Sequence, residues 1–130
     1  MNKPGPTVEQ NGATVPVPVP PIVTDESGDI EVYPSVASAC MELEAIDVLD
    51  GAYEAFDSRG YRLRIDAVRD IVSVVLEPGS TPDPLELERR LRRYVDRVGA
   101  ARVGLSELDS ATLPVMLDAL LTFFRGPSSG

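Results

Sequence analysis

The chain has 130 residues and a formal net charge of −9, with 21 acidic and 12 basic side chains and no histidine. That length holds one domain, and the negative charge disfavours nucleic acid and anionic membrane as partners while suiting a basic protein. Without histidine the commonest general base and zinc ligand are missing, and a single cysteine, Cys40, excludes an internal disulfide.

The acidity is uneven. Residues 31–78 carry ten acids against four arginines, whereas residues 79–130 carry seven of each. No apolar run follows Met1 as a secretory signal would require, and no stretch approaches the ~20 apolar residues of a membrane span. With the lone cysteine, this gives the expectation of a cytoplasmic protein.

Residues 1–28 are expected to be a disordered Pro/Val-rich tail, with polyproline II over Val15–Pro21, because proline fixes φ and withholds a backbone donor. Ile30–Tyr33 alternates apolar and polar side chains and predicts a short strand, ended by Pro34. Ser35 suits an N-cap. Val36, Ala39, Cys40, Leu43 and Ile46 then recur at helical spacing and predict one helix of about three turns. Cys40 lies in that apolar stripe, as a small hydrophobe rather than a nucleophile, since no histidine stands ready to activate it.

Ser58-Arg59-Gly60 predicts a three-residue hairpin loop joining Tyr53–Asp57 to Tyr61–Asp66. That turn places Ala55 opposite Leu63 and Tyr53 opposite Ile65 on one face, and Glu54 opposite Arg64 on the other. Helical spacing also fits 65–76, but its density of Val and Ile predicts a third strand, Ile71–Glu77, with Asp66 opposite Ile71. After the Pro78–Pro82 break, Asp83-Pro84-Leu85-Glu86 opens a helix with a cap, an N1 proline and a capping box. Leu87, Leu91, Tyr94, Val95 and Val98 form its buried stripe, and Gly99 ends it. Arg89, Arg90, Arg93 and Arg97 share the opposite arc with Glu86, and Glu86–Arg90 and Glu88–Arg92 are favourable i,i+4 pairs that make this a solvated, self-neutralised face.

A last helix runs from about Ala111 to Arg125, apolar almost all round, so it must be covered on most sides. It is expected to be the core helix of the domain. The alternative is homodimerisation through Leu113, Met116, Leu117, Leu120, Phe123 and Phe124. The run Gly104–Leu108 leading to Leu113-Pro114 and Leu120-Leu121 resembles the helix-turn-helix of winged-helix repressors over about 18 residues. A transcription factor is what that resemblance implies. The glycine usual before the "LP" pair is absent here, and the second helix offers only Asp118 and Thr122 among hydrophobes, so no DNA-contacting residue is assigned.

The expected fold class is α+β: a small antiparallel β-meander packed on one face by helices, in the order β-α-β-β-β-α-α, forming a single domain over 29–125. Residues 126–130 are expected to be an unstructured tail, in which PSSG has the composition of an expression remnant. No phosphate-binding glycine loop occurs, and Asp47 and Asp50 before Gly51 lack the alternating acids of a calcium loop, so no cofactor, metal or catalytic residue is assigned. One functional feature remains. No base falls between Lys3 and Arg59, and Glu42, Glu44, Asp47, Asp50, Glu54 and Asp57 crowd that span. They are the candidate partner-binding residues of a non-enzymatic, acidic protein-binding module. Its sharpest form is a bacterial inhibitor or immunity-type protein that masks a basic partner. The alternative is a structural or assembly subunit.

Overall fold

A computed structural model describes residues 7–10 and 13–126, so the expectations for 1–6, for 11–12 and for the terminal PSSG lie outside the described residues. The architecture is α+β: a five-stranded antiparallel sheet in the order β4-β3-β5-β6-β7, with helices on it. Its strands are β3 (Ile22–Glu26), β4 (Asp29–Tyr33), β5 (Glu54–Phe56), β6 (Arg62–Val68) and β7 (Ile71–Leu76). The helices are α1 (Val36–Glu42), α2 (Ala45–Leu49), α3 (Pro84–Val98) and α4 (Leu113–Arg125), with a 3-10 turn at Ala101–Val103. A separate hairpin pairs β1 (Thr7–Gln10) with β2 (Ala13–Pro16). The polyproline segment therefore does not begin at Val15, because Val15 and Pro16 already pair with Val8 and Thr7.

The domain starts earlier than residue 29. Ile22–Glu26, expected in the tail, is an inner strand paired with β4 on one side and β5 on the other. Ile22, Val23, Thr24 and Asp25 are all buried, as a strand covered on both faces requires. The prolines stop one residue before it, and Ser27 and Gly28, both at positive φ, close a two-residue hairpin of the kind that matches strand twist.

The helices cover both faces of the sheet, not one. α1 and α2 pack Ala39 and Leu43 on Ile22, Tyr33, Ala55, Leu63, Val72 and Val74. α3 and α4 pack Leu87, Leu91, Val95, Met116, Leu117 and Leu120 on Val23, Ile30, Val32 and Phe56. This second cover reaches only the β4-β3-β5 half, so the outer face of β6 and β7 stays open. A single helix over 36–46 does not form. The chain breaks at Leu43 (ψ 136°) and restarts as α2, which turns Ala45 and Val48 inward and leaves Ile46 outside. The Ser35 cap does form, its hydroxyl accepting from the Ser38 N–H at 3.0 Å.

The predicted register of the β5–β6 hairpin holds, with Ala55 opposite Leu63. The β6–β7 register differs by two residues. Val68 pairs with Ile71 across a tight Arg69-Asp70 turn, with Arg69 at φ +59°. A shift of two keeps every side chain on its face, which is why Val72 and Val74 are buried as expected although their partners are not those expected. α3 begins as read: Asp83 accepts from the Glu86 N–H at 3.2 Å, and Gly99 ends the helix at φ +102°.

Asp57 is fully buried. Its carboxylate accepts from the backbone N–H groups of Arg59 (2.9 Å), Tyr61 (3.2 Å) and Val19 (3.1 Å), and from the Arg59 guanidinium at 2.6 Å. The Ser58 N–H returns a bond to the Val19 carbonyl. The β5–β6 turn is thereby tied to the chain just ahead of β3. Gly60 ties it to α3: its carbonyl accepts from the Asp83 N–H, and a Cβ there would lie 2.6 Å from the Asp83 and Pro84 backbone. Two losses of stability follow, both read by urea unfolding. Asp57→Ala strands several buried donors and should cost about 3 kcal/mol or more. Gly60→Ala, at φ +89° against that backbone, should cost about 2 kcal/mol or more.

Candidate functional site

The six acidic residues separate into three environments. Asp57 is the buried tie just described and offers nothing to a partner. Glu54 and Glu42 are exposed but engaged by arginine. The remaining three, Glu44, Asp47 and Asp50, stand on and beside α2.

Glu54 belongs to an ion-pair network rather than to a patch. It was expected to face Arg64. Its carboxylate instead takes Arg62 at 2.8 Å and Arg90 at 2.6 Å, while Arg64 lies 4.0 Å from Asp66 and 3.9 Å from Glu77. Arg90 reaches Glu54 from α3 because Phe56, packed beneath, supports both the Arg90 and the Arg62 guanidinium with its ring at 4.8 and 4.9 Å. Arg90 also bonds Asp25 at 2.8 Å and Glu86 at 2.8 Å, and Glu86 takes Arg89 as well. Burial opposes the charge of Arg90, but its hydrogen bonds to Glu54, Glu86 and Asp25 outweigh that and hold it more firmly protonated than usual. In return, hydrogen bonds from Arg90 and Arg62 hold the Glu54 carboxyl below the ordinary carboxylate range. Within the arginine arc of α3, Arg97 also pairs, with Asp29 at 3.0 Å, while Arg93 makes no ion pair among the described residues; outside the arc, Arg92 pairs with Glu88 at 2.7 Å.

Glu42 pairs at 2.8 Å with Arg125, at the end of α4. Arg125 also bonds Glu31 (2.9 Å) and the Val32 carbonyl (2.9 Å), and lies over the Tyr33 ring. Burial, with the nearby Glu31, pushes the Tyr33 hydroxyl up to about 12.

Among the described residues, no ion pair uses Glu44, Asp47 or Asp50. Asp47 accepts a long hydrogen bond, 3.5 Å, from the Tyr53 hydroxyl. Burial, then the charges of Asp47, Glu26 and Glu44, raise the Tyr53 pKa above the usual phenol value. Glu26, exposed at the end of β3, is one of the acids whose charge acts on that hydroxyl, and it stands with this group. Sequence reasoning missed Glu26 because residue 26 was assigned to the tail. The Ser-Gly turn after it was the available signal.

The same two helices expose large apolar side chains. Met41 is 84% exposed, and Ile46 and Leu49 are each 66% exposed. Ile46 and Leu49 stand one turn apart on α2, the spacing that places two side chains on one face. Asp47 and Asp50 repeat that spacing one residue further on, so an apolar row and an acidic row run side by side. Isolated exposed hydrophobes are ordinary, but a group of them rimmed by charge is characteristic of interaction surfaces.

α4 supplies little to an interface. Met116, Leu117 and Leu120, expected as part of a dimerisation face, are buried in the domain's own core. Leu113 and Phe124 pack against that core, and of the six only Phe123 is exposed. An open groove of about 550 Å³ runs beside α4, lined by Val103, Leu105, Val115, Ala119 and Phe123 among others. The segment that resembled the first helix of a helix-turn-helix is not helical. Residues 104–112 form turns, whose Leu108 and Ala111 carbonyls accept from Arg92.

No group of three or more His, Cys, Asp or Glu among the described residues is placed to hold a metal ion. No described helix is long and apolar enough to cross a membrane. No protein-family model, curated protein or solved structure matches the chain.

The lowered pKa of Glu54 sets a pH dependence. Below its ordinary value of 4.5 the unfolded chain takes up this proton before the folded one does, so stability is present above that pH and falls as the pH drops towards the folded pKa. Glu54→Gln removes the effect. Its urea-unfolding stability should vary less with pH below 4.5 than that of the parent chain.

Proposed function

We propose that the protein is a non-enzymatic binding module that engages a basic protein through the acidic and apolar surface of α1 and α2. The observation that supports this most is the juxtaposition on α2 of exposed Ile46 and Leu49 with Asp47 and Asp50, which no described arginine neutralises. The apolar row supplies area to bury, and the acidic row supplies attraction and orientation. Glu26, Glu44 and Met41 extend the surface. Glu42 lies at its margin, one oxygen held by Arg125 and the other accepting from the Ser38 hydroxyl, while Glu54 and Asp57 take no part. An inhibitor or immunity-type protein that masks a basic site on its target is the form that best suits such a surface. Dimerisation through α4, the competing reading, has little support from a helix whose central side chains lie in the domain core.

The experiment is capture of the tagged protein's partner from its own cells at low and high salt, followed by stopped-flow association with the purified partner. Charge reversal at Glu44, Asp47 and Asp50 together should slow association about tenfold or more at low salt, and the difference should shrink at high salt. Ile46→Ala and Leu49→Ala should act on dissociation instead, each weakening the complex about tenfold. Unchanged binding by the charge-reversed variant would overturn the assignment of this surface.

A further inference from the structure

The two edges of the sheet are treated differently. At the β4 edge the Val32 carbonyl is taken by Arg125 at 2.9 Å, and at the other end of the strand the Gly28 carbonyl, in the turn before it, is taken by Arg97 at 3.2 Å. Helices α1 and α2 pack on one face of β7, but among the described residues no side chain bonds the backbone of its edge. The Glu77 N–H donates to the Arg62 carbonyl at 3.0 Å, and Val68 pairs with Ile71 at the turn. Antiparallel backbone groups alternate in direction, so residues 71, 73, 75 and 77 bond to β6. The N–H and C=O groups of Val72, Val74 and Leu76 therefore point to the free edge. Ile71–Leu76 contains no charge and no proline, the devices by which edge strands usually avoid pairing. On the open face Ile71 is 72% exposed, Val68 is 70% exposed, and Val75 is exposed beside them.

The sequence of β7 is complementary to itself in one register. Antiparallel neighbours share a face, so the outward residues 71, 73 and 75 must meet outward residues. Centring the pairing on Ser73 places Ile71 opposite Val75 twice and Val72 opposite Val74 twice, the latter with the free backbone groups facing each other. The same register brings Arg69 opposite Glu77 twice. Arg69 makes no ion pair among the described residues, and Glu77 has only the 3.9 Å approach to Arg64. Asp70 falls opposite the uncharged Leu76. Centring on Val72 instead sets Ile71 against Ser73 and Arg69 against Val75. Centring on Val74 sets Ile71 against Glu77. Only the Ser73 register matches apolar with apolar and charge with opposite charge.

We propose that the protein self-associates through β7, two copies pairing antiparallel about Ser73 to form one continuous ten-stranded sheet. This rests on the edge alone and is independent of the acidic surface. The test combines sedimentation velocity over a concentration series with amide hydrogen exchange. A monomer–dimer equilibrium is expected, in which the Val72 and Val74 amides exchange more slowly as concentration rises. The Ser73 and Val75 amides, already bonded to β6, should not respond. Arg69→Glu, which sets like charges opposite each other twice, should weaken the dimer about tenfold or more. Adding Glu77→Arg to it should restore the dimer. A chain that stays monomeric up to its solubility limit would overturn the proposal, as would a dimer whose Val72 and Val74 amides are unaffected by concentration. So would an Arg69→Glu defect that Glu77→Arg fails to repair.

Discussion

The buried carboxylate of Asp57 is the constraint on which the assembly of this domain turns. A charge with no exposed surface is tolerated only when donors surround it, and here they come from distant parts of the chain. The Arg59 and Tyr61 amides fix the β5–β6 turn, the Arg59 guanidinium supplies the opposite charge, and the Val19 amide brings in the segment ahead of β3. Because Gly60 in the same turn packs on the first residues of α3, one short loop sets the entry of β3, the β5–β6 hairpin and the start of α3. The inner strand then lies where its four buried residues meet both helical layers.

Arginine performs a related task at the surface. Arg90 gathers Asp25, Glu54 and Glu86, and Arg125 gathers Glu31, Glu42 and the Val32 carbonyl. Each joins a helix of the α3/α4 layer to strands or to α1. Exposed ion pairs contribute little singly, but Arg90 is mostly buried and bonds three carboxylates, so it acts as a clamp between layers. Most acids within reach of α3 and α4 are neutralised in this way. Glu44, Asp47 and Asp50, on and beside α2, make no ion pair among the described residues and stand next to Ile46 and Leu49, while Asp96 on α3 and Asp118 on α4 are likewise outside any described pair. On the face that carries α3 and α4, the β4-β3-β5 half of the sheet is covered by helices, and the β6–β7 half is left open.

Much of the fold was legible along the chain. The Ser58-Arg59-Gly60 loop fixed the β5–β6 register, and Asp83-Pro84 with Gly99 fixed both ends of α3, because turns and caps are local chemistry. β3 was obscured by the prolines directly before it, and the β6–β7 pairing was read two residues out because the Arg69-Asp70 turn carries no glycine to mark it. The candidate site was half legible. Glu44, Asp47 and Asp50 make no ion pair among the described residues, and adjacency in sequence could not tell them from Asp57, which the fold turns inward, or from Glu54, which Arg90 reaches from 36 residues away.

The sequence by itself determined the α+β class, the order of most elements, the apolar stripes and the net acidity, since periodicity, capping and composition need only neighbouring residues. Only the tertiary structure decided which carboxylates stay free, which edge is capped and whether α4 faces the core or solvent. Those depend on distances between residues tens of positions apart, and a side chain's charge becomes a surface property only once the partners that can reach it are in place.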